Sequence, residues 1–235
     1  SYAALEAYYQ EQGRDWERYA LIKARPITAS PAVVAPLTAC LQPFVYRRYV
    51  DFSAIESLRD MKRMIVAEVR RRGLDGNVKL GGGGIREIEF IAQCFQLIRG
   101  GRDLALQQRE LLPVLDECVA LGCLPAEDVE DLRSAYLFLR DVEHAIQAWE
   151  DRQTQELPTD PLALAALAHC MGFADVERFL AALDGHRARV AAHFADLIDD
   201  PEENDEAAVS AEIWCAECEE AELAKLGYDD AAGLS

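Results

Sequence analysis

The stretch EDVEDLRSAYLFLRDVEHAIQAWED, residues 127–151, decides the fold. Its apolar residues Val129, Leu132, Tyr136, Leu139, Val142, Ile146 and Trp149 recur three and four positions apart. That spacing draws one apolar stripe along a long helix, and such a stripe needs other helices to cover it. The covering partners are visible on both sides. Upstream, Ile55, Leu58, Met61, Ile65 and Val69 mark a helix over 53–72, with Ser53 and Glu56 in capping-box positions. Arg70, Arg71 and Arg72 suit the negative end of its dipole, and Gly73 closes it. Ile85, Ile88, Ile91, Phe95 and Ile98 mark a helix over 85–99, and Gln107–Leu121 reads as a shorter one. Downstream of the breakers Pro158 and Pro161, helices are predicted over Leu162–Met171 and Val176–Ile198. In the last of these, Phe179, Leu183, Val190, Phe194 and Leu197 point inward. A possible extended piece at Val78–Leu80 is the main strand signal. The fold class is therefore mainly α, an antiparallel helical bundle over residues 44–198.

Before the bundle, Ser1 is placed to cap a helix that runs to Gly13. A second helix spans Arg14–Arg25 and stops at Pro26. Pro26, Pro31, Pro36 and Pro43 suggest a connection with a short helix near Val33–Leu41. After the bundle, residues 196–206 hold seven acids, which self-repel and read as a linker or frayed helix end. Ala207–Leu226 has renewed helical character. A start at Ser1 on a helical pattern suggests a piece of a longer chain.

Composition narrows the function classes. At 235 residues, 51% hydrophobic and 28% charged, the chain has the material for a packed globular core. No apolar run approaches the roughly 20 residues of a membrane span. Seven cysteines, an odd number set mostly in apolar helical patterns, fit a reducing cytoplasm better than a disulfide framework. The net charge of -18 is uneven. Residues 1–110 hold 17 Lys/Arg against 13 Asp/Glu, whereas residues 111–235 hold 7 against 29. The acidic half would repel nucleic-acid phosphate; the basic half could hold one phosphate-bearing ligand or an acidic partner surface.

The stretch NVKLGGGGIREIEF, residues 77–90, is the most informative motif. Four glycines cost backbone entropy, so they imply a tight turn or a close approach. Glycines ahead of a helix also leave its first N–H groups available to an anion, with Lys79 and Arg86 beside them. The pattern is neither GxGxxG nor a P-loop. Glu87 and Glu89 lie two apart and diverge on a helix, so they are no natural metal pair. Arg14, Arg18, Lys23 and Arg25 form a second basic set, in which Asp15 and Glu17 are potential partners. Cys215 and Cys218 make a lone CxxC, half of a zinc site at most. His144, His169, His186 and His193 are scattered and read as structural.

Together, GRDWERYALIKAR (13–25), FVYRRYVDFSAIESLRDMKRMIVAEVRRRG (44–73), NVKLGGGGIREIEFIAQCFQLIRGGR (77–102) and YLFLRDVEHAIQAWEDRQTQELP (136–158) resemble one bacterial family, the bifunctional glutamine synthetase adenylyltransferase/adenylyl-removing enzymes. The resemblance covers about residues 1–200. It implies residues 1–43 as the C-terminal helices of a nucleotidyltransferase domain, 44–198 as the bundle after it, and 199–235 as an acidic linker toward the second transferase half. It implies a parent enzyme that removes AMP from a tyrosine of glutamine synthetase by phosphorolysis in one half and attaches it from ATP in the other. Mg2+ and ATP, ADP or phosphate are its expected cofactors, and glutamine synthetase and PII signal proteins its expected partners. The Gly-Ser…Asp-x-Asp metal motif of such transferases is missing here, and Asp199-Asp200 and Asp229-Asp230 lack its frame. The resemblance therefore puts the catalytic carboxylates upstream of Ser1, with no catalytic or metal residue on this chain. It makes Lys79, Arg86 and Glu87, with Arg14, Lys23 and Arg25 opposite, candidates to line a cleft and touch phosphate or the protein substrate. The alternative reading is a non-catalytic binding module for PII or glutamine synthetase.

Overall fold

A computed structural model describes residues 1–27, 30–48, 52–149 and 153–197. The predicted linker from 199 onward, its renewed helix, and Cys215 and Cys218 lie outside the described residues. The described residues belong to one compact unit. They form α1 (Tyr2–Glu11), α2 (Asp15–Leu21), α3 (Pro31–Val45), α4 (Phe52–Arg72), α5 (Ile85–Arg99), a 3-10 turn at Leu104–Leu106, α6 (Leu111–Ala120), α7 (Ala126–Ala148), α8 (Pro161–Cys170) and α9 (Val176–Asp196). The chain is mainly α, as the stripes require.

Helix α5 is the centre of the bundle. Ile85, Ile88, Phe90, Ile91, Ala92 and Cys94 are all at most 1% exposed, so it is covered on nearly every side. Helices α6, α7 and α9 pack against it in the bundle, and α2 and α4 reach it from the N-terminal side. Helix α7 contributes Val129, Leu132, Leu139, Val142 and Ile146 to the same core, and α9 contributes Phe179, Leu183, Val190 and Phe194. Trp149 departs from its stripe: it is 52% exposed, at the C-cap position just past the last residue of α7, Ala148. Buried Gln96 pins the 3-10 turn, its Nε2 donating to the Leu106 and Gln108 carbonyls at 2.6 Å each. Residues 107–110, the start of the helix predicted over 107–121, follow this turn as irregular chain, and α6 begins at Leu111.

The N-terminal helices share this core through Ile22, Phe44 and Val45. Ser1 caps α1 as predicted, its Oγ accepting from Ala4 N–H at 3.3 Å. Helix α3 is longer than its prolines suggest. Pro31 sits in its first turn, where no N–H is needed, and Pro36 and Pro43 are tolerated inside it. Arg18 of α2 joins this layer to the bundle. Its guanidinium is 2% exposed and donates to the Phe44 carbonyl (3.1 Å), the Val45 carbonyl (3.3 Å) and Asp15 Oδ1 (3.1 Å). Asp15 also accepts from Ser57 Oγ of α4 at 2.7 Å. One salt-bridged pair thus ties α2, the C-terminal end of α3 and α4 together. Helix α4 covers Phe52–Arg72, and Glu56 pairs with Arg59; the Ser53 side chain of the predicted capping box lies outside the described residues.

Val78–Leu80 is a turn rather than an extended piece. A single bridge, Asn77 to Glu156, is all the pairing there. Asn77 Oδ1 accepts from the Lys79 and Leu80 N–H groups at 3.0 and 2.7 Å, which bends the chain.

Candidate functional site

Most backbone N–H groups of the glycine stretch are taken up locally. Gly81 N–H donates to Asn77 O, Gly84 N–H to Gly81 O, Ile85 N–H to Val78 O, Arg86 N–H to Lys79 O and Glu87 N–H to Gly84 O, all within 3.2 Å. Gly83 N–H is taken by Glu87 Oε2 at 2.9 Å. The N-terminal turn of α5 is therefore filled by the loop's own carbonyls and by a carboxylate from the helix, where the sequence suggested an external anion. Gly83 answers to α9 instead, while a Cβ on Gly81 or Gly84 would first meet the loop's own carbonyls. A Cβ on Gly83 would lie 2.1 Å from the Arg187 carbonyl oxygen, and Gly83 also has φ +68°. Arg187 closes the contact, with Nε on the Gly82 carbonyl at 2.8 Å and Nη1 on the Asp75 carbonyl at 2.7 Å.

Two buried carboxylates organise the charge here. Glu87 is 5% exposed, and burial pushes its pKa up, opposed by the Gly83 N–H, Arg86, Arg187 and Lys62. Glu143 of α7 is 2% exposed and accepts Lys79 Nζ at 3.4 Å and the Arg140 guanidinium. Arg140 also meets His144 Nε2 at 3.2 Å. Lys79 thus tethers the glycine loop to α7, as Arg187 tethers it to α9.

Arg86 behaves differently. Its Nη2 reaches the Leu80 carbonyl only at 3.4 Å, and its Nε is enclosed without a hydrogen-bond partner. Nearby, burial pushes the Tyr19 phenol well up, with Cys94 and Glu89 adding to the rise and Arg86 opposing it. Burial also lowers the Lys23 pKa, opposed by Glu89. Tyr136 is raised by burial, with Arg140 opposing and Glu89 and Glu143 reinforcing. Arg86, Glu89, Tyr19 and Lys23 therefore form one electrostatic neighbourhood between α2 and α5, and Tyr136, Arg140 and Glu143 extend it onto α7.

Of the six residues singled out from sequence, the structure brings Lys79, Arg86 and Glu87 together at the glycine loop and sets Lys23 near Glu89. Lys23 Nζ also donates to the Arg109 carbonyl at 2.8 Å. Arg14 and Arg25 are exposed. Arg14 presents its backbone N–H to Glu17 Oε2 at 2.8 Å. Among the described residues no group of three or more His, Cys, Asp or Glu is placed to hold a metal ion, and no helix is long and apolar enough to cross a membrane. Arg187 and Glu143 were missed as partners of the loop. Their signal was present: each is a charged residue set within an apolar stripe, Arg187 between Leu183 and Val190, Glu143 beside Val142 and Ile146.

Residues 59–198 match the family model described as GlnD PII-uridylyltransferase, and residues 1–40 match that described as Glutamate-ammonia ligase adenylyltransferase. Both descriptions are of nucleotidyltransferases, and the matched part of this chain is helical. The "Bifunctional glutamine synthetase adenylyltransferase/adenylyl-removing enzyme" of Pseudomonas aeruginosa is 54% identical over 244 residues, covering 98% of this chain and 25% of that protein. The protein of the same name from Pseudomonas putida is 57% identical over 205 residues, covering 87% of this chain and 21% of that protein. The chain belongs to the family of bifunctional glutamine synthetase adenylyltransferase/adenylyl-removing enzymes, and spans about a quarter or less of the length of these curated relatives.

Proposed function

We propose that the chain serves the deadenylylating, phosphorolytic half of an enzyme that controls glutamine synthetase through AMP on a tyrosine, as the helical support on which substrate and regulator dock. Arg86 carries this reading. It is a cation at the first turn of the central helix whose Nε has no protein partner, while its neighbours Lys79 and Glu87 are spent on holding the loop. An enclosed guanidinium N–H without an acceptor is costly unless a ligand oxygen supplies one. Lys23, exposed in the turn just past the end of α2, adds a second positive group to the same neighbourhood. Arg14 and Arg25, both exposed, are outer contacts for a protein surface in this reading. PII is the proposed regulator. Mg2+ and ATP, ADP or phosphate belong to the transferase domains, and no residue of this chain is assigned to them.

The test is Arg86→Ala in the full-length enzyme, assayed for phosphorolysis of adenylylated glutamine synthetase. A rate loss of about tenfold, equal to about 1.4 kcal/mol in the barrier, is expected with the thermal midpoint unchanged. An unchanged rate with unchanged affinity for the substrate refutes the assignment.

A further inference from the structure

A separate cleft of about 380 Å³ opens between α5, α7 and α9, away from the glycine loop. Its floor is apolar: Ile91, Cys94 and Leu132 are at most 1% exposed, and Phe95, Ile98 and Leu197 continue the wall. Its mouth is acidic and carries Asp128, Asp196 and His193. A half-enclosed apolar volume of this size with a few convergent polar groups is the usual form of a small-molecule site.

The charge at the mouth selects the ligand. Among the described residues Asp128 meets only His193 Nδ1, at 4.0 Å, which is too long for a hydrogen bond. The Asp196 side chain has no donor among the described residues. Asp131 stands behind His193, 3.5 Å from Nε2, and is shared with Arg189 at 3.3 Å. The C-terminal end of α9 adds its negative pole beside Asp196. That end already takes one ammonium: Lys62 Nζ donates to the Ala195 and Leu197 carbonyls at 2.7 and 2.9 Å and lies 5.6 Å from the Phe194 ring centre. Asp128 and Asp196 are left as acceptors at the rim of an apolar hole.

We propose that this cleft binds a small organic cation: an ammonium group held between Asp128 and Asp196, with an apolar body lying against Ile91, Ile98 and Leu132. The test uses the full chain and three probes of one shape, 4-phenylbutylammonium, 4-phenylbutanol and 4-phenylbutyrate, followed by methyl NMR and calorimetry. The cation is expected to bind saturably, at least tenfold tighter than the alcohol, and to shift the Ile91, Ile98 and Leu132 methyl signals. The carboxylate is expected not to bind. Asp128→Asn with Asp196→Asn should weaken the cation at least tenfold while leaving methyl signals elsewhere in place. Ile98→Phe, which fills the cleft without altering charge, should abolish binding. Equal affinity for all three probes, cation binding that survives either variant, or no saturable shift up to about 10 mM, where a millimolar Kd is readily seen, overturns the proposal.

Discussion

Replacing Gly83 by Ala isolates the close approach of the glycine loop to α9. The new Cβ would sit 2.1, 2.6 and 2.7 Å from the carbonyl oxygen, carbonyl carbon and Cα of Arg187. All three are backbone atoms of α9, so no rotamer change relieves the overlap, and the loop or the helix must move. The residue must also keep φ +68°, a left-handed conformation that costs a residue with a Cβ about 1–2 kcal/mol. Forcing apart a packed contact adds about 1–3 kcal/mol. Reduced freedom of the unfolded chain returns about 0.4–1 kcal/mol. The net expectation is a loss of about 3 kcal/mol, or roughly 6–12 °C in Tm for a unit of this size. Two controls separate the causes. Gly73 has φ +59° with nothing within 4 Å of a built Cβ, so Gly73→Ala carries the conformational cost alone, about 1 kcal/mol. Gly82 has open space and no left-handed φ, so Gly82→Ala is expected within about 0.5 kcal/mol of the parent. Urea unfolding followed by circular dichroism ranks the three. If Gly83→Ala is no more damaging than Gly73→Ala, the close approach of loop and α9 does not govern the glycines.

Other substitutions probe the remaining joints. Arg18→Met removes the donor from the Phe44 and Val45 carbonyls, and a loss of about 2–4 kcal/mol is expected in urea unfolding; a loss below about 1 kcal/mol would mean that these carbonyls find other partners. Ile146→Ala should cost about 2–5 kcal/mol and Trp149→Ala within about 0.5 kcal/mol, since Ile146 is 5% and Trp149 52% exposed; equal losses by thermal unfolding would contradict that division. Glu87 has its pKa raised by burial, so the folded state holds its proton to higher pH than the unfolded state does. Its ionisation therefore removes stability as pH rises from the ordinary glutamate value of 4.5 toward the raised folded value. Glu87→Gln keeps an acceptor for Gly83 N–H and should flatten that decline; a stability–pH curve parallel to the parent's would argue that Glu87 is not the group responsible.

The helices were legible in the sequence because apolar spacing reports a buried face wherever a helix has one solvated side. Helix α5 matches its predicted span, Ile85–Arg99, and Ser1 caps α1 as read. The readings missed where a local signal was overridden. Pro36 and Pro43 suggested a broken connection, yet α3 runs through both. Val78–Leu80 reads as a short extended segment, yet Asn77 turns it. The glycine loop was recognised as important, but its purpose depends on Arg187, more than 100 positions away, and no local pattern reveals that pairing. Glu143 and Arg187 were readable only as charges out of place in apolar stripes, a signal that marks burial without naming the partner.

The functional account rests on Arg86, and the two opposing reactions proposed for the full-length enzyme test it most directly when measured side by side. With Arg86→Ala, removal of AMP from glutamine synthetase is expected to slow about tenfold, while attachment of AMP from ATP keeps its rate. Unchanged removal, or an equal fall in both directions, would contradict the assignment of this segment to the phosphorolytic half.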